Sequence, residues 1–282
     1  MAEAGVPRPA ARERLPLRLR VKRTGVSRLR WIRKARTVRH YGAPLRANIS
    51  YILLDPELQN FTYEIRNREE LSGWLDALFG AGHYIAELDR NEQLRSDLRR
   101  KVRWRPASKR QIPLGRRAGW YAIVRALRPT RVVETGTHDG LGSTTILAAL
   151  ERNGSGELVS IDPQPGTGWL VPDSLRHRWR SIRGKSYDVM PSLGSIDLFI
   201  HDSLHTPECE TWELETAAGL GAKVLLSDNA HAADTARRFA TDRGAAFSVW
   251  REQVADHFYP GGGIGVILLE PAPSAPGAAS RT

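Results

Sequence analysis

Three short stretches of this sequence bring acids, histidines and glycines close enough together to do chemistry. The first is VVETGTHDGLGSTTILAAL at 132–150, where Glu134 precedes Gly136, Thr137 and Gly140. Glycines let a backbone turn tightly and approach a ligand, and a helix that starts after such a turn offers unpaired N–H groups to an anion. The second is SIDP, whose Asp162 ends an apolar run; a carboxylate there can accept both hydroxyls of a ribose, or simply cap the turn. The third joins FIHDSLH, with Asp202 and His205, to VLLSDNAH, with Asp228 and Asn229. Hard oxygen ligands in such a set suit Mg2+, and an imidazole titrating near about pH 6.5 suits a general base. His201, His231 and His257 compete with His205 for that role, and Asp228-Asn229 equally reads as the N-cap of a helix starting at Ala230.

To gather these residues, the chain needs a parallel sheet, because such sheets open their ligand crevice at the carboxyl ends of the strands. The runs Val132 to Val133, Leu158 to Ile161, Ile196 to Ile200 and Val224 to Leu226 predict buried parallel strands, with helices around 143–151, 207–219 and 231–243. Phe247 to Trp250 and Ile264 to Leu269, separated by a stretch containing PGGG and no crossover helix, predict an antiparallel terminal pair. Upstream, Asn67 and Glu70 followed by Leu71, Trp74, Leu75 and Leu78 predict a helix that Gly80 to Gly82 ends, and a short helix from Ala118 to Leu127 stops at Pro129. The expected division is a basic, disordered tail over 1–46, a helical or mixed region with a basic linker over 47–117, the α/β domain over 118–270 and a disordered tail over 271–282.

The chain has 282 residues, a single cysteine (Cys209) and 42 Lys+Arg against 31 Asp+Glu, a net charge of +11. That length buries a core without staples, and one cysteine excludes a disulfide framework. With no apolar run of about 18 residues, neither a membrane span nor a secretory signal is expected, and the expected address is cytoplasmic. The positive charge is local. Residues 1–46 carry 14 Lys+Arg and 2 acids, 47–94 carry 3 and 9, 95–131 carry 13 and 1, and 132–282 carry 12 and 19. The front block reads first as a largely disordered, solvated arginine-rich tail; its middle, from Leu15 to Val38, could instead form a basic amphipathic helix on an acidic partner, RNA or an anionic membrane surface. Without an aromatic-interleaved motif, nucleic acid is disfavoured.

The acid followed by G-x-x-x-G, Glu134-Thr-Gly136-Thr-His-Asp-Gly140, resembles the first motif of class I S-adenosylmethionine-dependent methyltransferases rather than the G-x-G-x-x-G of dinucleotide binders. RGKSYDVMPSLGSIDLFIHDSLH and VLLSDNAH are similar to the metal-dependent catechol and caffeoyl-CoA O-methyltransferases. They are also similar to the bacterial group of macrocin-type sugar O-methyltransferases and cephalosporin hydroxylase-like proteins. Over roughly 118–270 the resemblance implies a Rossmann-like, doubly wound, mostly parallel seven-stranded sheet with an antiparallel C-terminal pair, behind a smaller N-terminal region. It implies S-adenosylmethionine contacted by Glu134, Gly136, Thr137, Gly140, Ser143, Asp162, Ser186, Tyr187 and Asp202, and Mg2+ held by Asp202, Asp228 and Asn229. It places His205 where the catechol type carries a catalytic lysine. The family's usual serine falls at Gly142, one residue before Ser143, so backbone N–H groups at the helix start would bind the cofactor's carboxylate instead. WLVP after Asp162 and DHFYPGGG, with Tyr259, fall where a lid and an acceptor rim are expected. The implied reaction is methylation of a hydroxyl on a sugar, phenol or lipid-linked small molecule. The rivals are an RNA methyltransferase using the basic blocks and a non-catalytic cofactor-binding protein, and self-association is left open.

Overall fold

Short, uniformly apolar strands alternating with helices leave the sheet no choice but to be covered on both faces. The computed structural model describes residues 28–40, 64–102, 114–231, 233–255, 257–259 and 261–270, with several positions between 42 and 52. Its strands are β1 (Arg131–Thr135), β2 (Glu157–Asp162), β3 (Trp179–Arg183), β4 (Leu198–His201), β5 (Val224–Asp228), β6 (Ala246–Arg251) and β7 (Gly263–Leu268). They form one seven-stranded sheet in the order β3-β2-β1-β4-β5-β7-β6. All pairings are parallel except those of β7 with β5 and β6. This is the doubly wound sheet with the antiparallel terminal pair that the sequence predicts. The order reverses between β1 and β4, which opens a crevice at their carboxyl ends. Register then sets neighbours there: Glu134 lies beside Ser160, and His201 lies between Thr135 and Ser227.

The helices are α1 (Arg28–His40), α2 (Arg68–Phe79), α3 (His83–Asp89), α4 (Glu92–Val102), α5 (Arg117–Leu127), α6 (Leu141–Asn153), the single turn α7 (Ser186–Val189), α8 (Pro207–Gly219) and α9 (Thr235–Asp242). Helices α5 and α6 cover one face, and the buried Leu71, Leu75, Leu88 and Leu98 of α2 to α4 join the same core cluster. Helices α8 and α9 cover the other face through Leu214, Phe239 and Ala240. Asn67 gives α2 its anchor, accepting from the N–H of Gln253 and donating to the carbonyl of Arg251, both at 2.9 Å. Trp74 adds a bond to Ser248 at 2.8 Å. The N-terminal helices are thereby tied to β6 rather than set apart from the sheet.

Several expectations are changed. Arg28–His40 is helical, with Lys34 and Val38 buried, so the disorder expected over 1–46 does not hold there. Residues 1–27, the linker 103–113 and the tail 271–282 lie outside the described residues, as does the first part of the helix expected from Leu15. The helix expected around 231–243 begins at Thr235. Asn229 at φ +58° turns the chain first, so Asp228-Asn229 is not an N-cap. Strand β3 had no clear sequence signal because it lies at the sheet edge with mostly exposed side chains.

The second basic block also finds its acids. Arg95 pairs with Asp89 at 3.0 Å, Arg125 with Glu87 at 2.7 Å and Arg131 with Glu157 at 2.7 Å. Much of the charge of 95–131 is thus balanced inside the fold, partly by the acidic segment just before it. No helix among the described residues is long and apolar enough to cross a membrane.

Because Leu75 is fully buried in the cluster that holds α5 and α6, Leu75→Ala should cost about 2–5 kcal/mol. The expected signature is a lower urea midpoint in one cooperative transition. A separate early transition, with the main one unmoved, would show that α2 to α4 unfold independently of the sheet.

Candidate active site

The glycine turn after β1 is held from three sides. Asp162, at the end of β2, accepts at Oδ2 from the N–H groups of Thr137 (2.8 Å) and His138 (3.0 Å), and at Oδ1 from that of Gln164 (2.8 Å). Oδ1, with a single donor, keeps acceptor capacity. Gly136 has φ +84°, and a Cβ on it would lie 1.9 Å from the carbonyl oxygen of Asp202. Only glycine allows the turn to touch the loop after β4 this closely. Gly140, at φ +88°, meets Gly168 in the same way, and the amides of Gly168 and Leu170 donate to the carbonyls of His138 and Asp139. Leu170 and Val171 are fully buried, so these two residues of WLVP pack beneath the turn rather than form a lid.

Glu134 and Ser143 meet each other, not a ligand face. The Ser143 hydroxyl donates to Glu134, as does Ser160 Oγ at 2.6 Å, and Trp179 in turn donates to Ser160 at 2.7 Å. Burial pushes the Glu134 carboxyl up to about 7, against the opposing effect of these two hydroxyls. Thr137 keeps a buried Oγ1 that has no partner among the described residues. Ser186, at the start of α7, donates to Glu213, and Tyr187 is exposed and stacks on Trp212 at 4.3 Å.

At the ends of β4 and β5, Asp202, His205 and Asp228 come together, with one ligand atom of each within 4.8 Å of the others. His205 Nε2 lies 3.9 Å from Asp202 Oδ1 and 3.3 Å from Asn229 Nδ2. Its ring is about a third exposed. Burial of the remainder and the neighbouring His201 push its pKa below the ordinary imidazole value. His201 itself is sealed: Nδ1 meets Glu213 Oε2 at 2.6 Å and the ring has no exposure. His257 Nδ1 accepts from the amide of Tyr259, and His231 has a buried Nδ1. Of the four candidate bases, His205 is the one in the acid cluster.

Two residues that the sequence reading passed over dominate this corner. Arg116 grips both oxygens of Asp228, Nε to Oδ1 at 2.5 Å and Nη2 to Oδ2 at 2.7 Å, and its Nη1 reaches Glu252 Oε1 at 3.0 Å. All three are buried. Burial would push Asp228 up, but the Arg116 guanidinium holds it well below the carboxylate range, while burial and the Asp228 charge push Asp202 up. Arg116 was counted as block charge, and nothing in GRR marks one arginine as buried. Glu213 was also missed. It gathers Thr135 (2.6 Å), His201 and Ser203 (2.9 Å), and burial, which raises its pKa, is outweighed by these donors.

The Glu134 shift has a stability consequence. Its folded pKa of about 7 lies above the unfolded value near 4.3, so its contribution is fully present in acid and is lost as pH rises through 7. Glu134→Gln should therefore narrow the difference in urea midpoint between roughly pH 5 and pH 8. An unchanged difference would place the ionised form in the folded protein.

Residues 133–225 match the family described as "Methyltransferase domain". No curated protein matches the chain in sequence. Solved structures with a similar fold include the O-methyltransferase TomG from Streptomyces achromogenes, involved in tomaymycin synthesis and in complex with SAM. It is 17% identical, with 72% of this chain and 100% of that one covered and a TM-score of 0.47. An O-methyltransferase from Bacillus cereus in complex with SAH is 14% identical over 69% of this chain and 99% of that one, with a TM-score of 0.47. A methyltransferase from Geobacter sulfurreducens is 18% identical over 65% and 96%, with a TM-score of 0.46. The family match thus runs from within β1 to within β5 and includes the glycine turn at the reversal of strand order.

Proposed function

We propose that the chain is an S-adenosylmethionine-dependent O-methyltransferase that methylates a hydroxyl of a small molecule such as a sugar, a phenol or a lipid-linked acceptor. One observation carries the reading. The glycine turn and Asp162 at the ends of β1 and β2, within the matched domain, adjoin the Asp202, His205 and Asp228 cluster at the ends of β4 and β5, whose Asp228 lies just beyond the matched residues, with Gly136 touching the Asp202 backbone. The buried, unpartnered Thr137 Oγ1 and the spare capacity of Asp162 Oδ1 are groups that a nucleoside could satisfy.

When bound, S-adenosylmethionine supplies a methyl group on a positively charged sulfur, already activated for transfer. Asp162 holds the ribose, and amides of the turn hold the amino-acid end. Glu134 and Ser143 brace the turn from below. His205, held below its ordinary pKa, is unprotonated at neutral pH. It would take the proton of the acceptor hydroxyl as the methyl group is transferred to that oxygen. Mg2+ held by Asp202, Asp228 and Asn229 is left out of this scheme. Both Asp228 oxygens already meet the Arg116 guanidinium, so this carboxylate does not fit a hard cation as it stands.

Among the described residues of 95–131, several arginines are paired with acids, which leaves the RNA reading little free charge there. Residues 1–46 would serve as the attachment to an acidic partner or an anionic membrane surface, on a cytoplasmic enzyme.

Isothermal titration of cofactor-stripped protein with S-adenosylhomocysteine should show one site, weakened at least tenfold by Asp162→Ala, about 1.4 kcal/mol. No binding to the wild type would overturn the reading. His205→Gln should lower kcat by roughly 10²–10⁴-fold with that binding unchanged. The wild-type rate should hold as pH falls past about 6.5 and drop only below it; full activity of the variant would remove His205 from the mechanism.

A further inference from the structure

The metal-binding set implied by sequence and the cation already present at Asp228 compete for the same oxygens. Arg116 meets both of them at 2.5 and 2.7 Å in the two-pronged geometry in which guanidinium matches carboxylate. The arginine is itself fixed. Its Nη1 is bound to Glu252 at 3.0 Å, and its amide donates to Glu252 Oε2 at 3.1 Å. Glu252 also accepts from the amide of Gly262 at 2.8 Å.

The PGGG stretch is shaped around this pair. A Cβ on Gly262 would lie 2.7 Å from Arg116 Cζ, and one on Gly261, at φ +89°, would lie 2.1 Å from the carbonyl oxygen of Glu252. Side chains at these positions would displace the guanidinium or its clamp. Backbone that yields space for one arginine, and a second buried acid that holds it, are features of a built site.

We propose that Arg116 is the resident cation of this centre, neutralising Asp228 in place of a divalent ion and acting as the positioning residue for the Asp202 and Asp228 pair. Mg2+ needs oxygens at about 2.0–2.1 Å in near-octahedral array. Here it would have to displace a guanidinium that cannot lose its charge, or sit beside it against repulsion. Asp202 and Asp228 bring carboxylate oxygens within 4.8 Å of each other, so by fixing Asp228 the arginine sets the charge and position that Asp202 faces. That this corner faces the acceptor rests on the function proposed above; that arginine rather than metal occupies it does not.

The experiment is Mn2+ titration followed by electron paramagnetic resonance on the full chain. The wild type should leave the free-ion spectrum unchanged up to about 1 mM, the weak end of protein cation sites. Arg116→Gln frees the Asp228 oxygens, completing a set of three ligand groups within 4.8 Å of one another, and should bind one Mn2+ per chain, which a further Asp228→Asn change abolishes. One Mn2+ bound by the wild type and lost in Asp228→Asn would overturn the proposal. So would a folded Arg116→Gln that binds none. If Arg116→Gln does not fold, the wild type and Asp228→Asn decide alone: no Mn2+ in either supports resident arginine. S-adenosylhomocysteine binding in the same samples reads the methyltransferase assignment separately, so failure of one is distinguishable from failure of the other.

Discussion

The buried chain of charge from Glu252 through Arg116 to Asp228 fixes the corner on which the site stands. It joins the residue just before α5 to the last residue of β5 and to the segment leaving β6, three parts of the chain far apart in sequence. Removing one partner of such a buried pair leaves an uncompensated charge and costs about 3–5 kcal/mol. With two acids on one guanidinium, loss of Arg116 would strand both. The pair therefore holds the terminal antiparallel strands in place against the parallel half of the sheet, and it does so at the mouth of the crevice.

Around that corner the polar residues divide into two kinds. Some face inward and brace the scaffold: Glu134 with Ser143 and Ser160, and Glu213 with Thr135, His201 and Ser203. Each is a buried acid whose hydroxyl or imidazole partners join neighbouring strands and helices. Others face the crevice: Asp202, His205 and the free side of the glycine turn. An acid at a strand end can serve either purpose, and only the partners tell them apart.

The sheet was legible because its period is. Continuous apolar runs bounded by glycine and proline gave the four central parallel strands, and the gap without a helix before Ile264 gave the antiparallel pair. Edge strand β3 was hidden because an edge needs no apolar face. Within the site, Asp202, His205 and Asp228 come together at the ends of β4 and β5, two of the strands whose apolar runs were legible. What spacing could not show was partnership. Asp228 looked like a helix cap or a metal ligand because short acids commonly are either, whereas its partner lies 112 residues earlier. The glycines of PGGG likewise signalled a turn, but not that the turn leaves room for one guanidinium. The net charge of +11 carried the least information of all, since several of the basic residues behind it are paired with acids inside the fold.

The most direct measurement is a crystal structure of the protein with S-adenosylhomocysteine, grown with EDTA. The account predicts the ribose on Asp162 and the sulfur in the space between the Gly136 turn and His205, with Arg116 still holding both oxygens of Asp228. S-adenosylhomocysteine bound elsewhere on the chain, or Arg116 swung away from Asp228 once the ligand is in place, would contradict it.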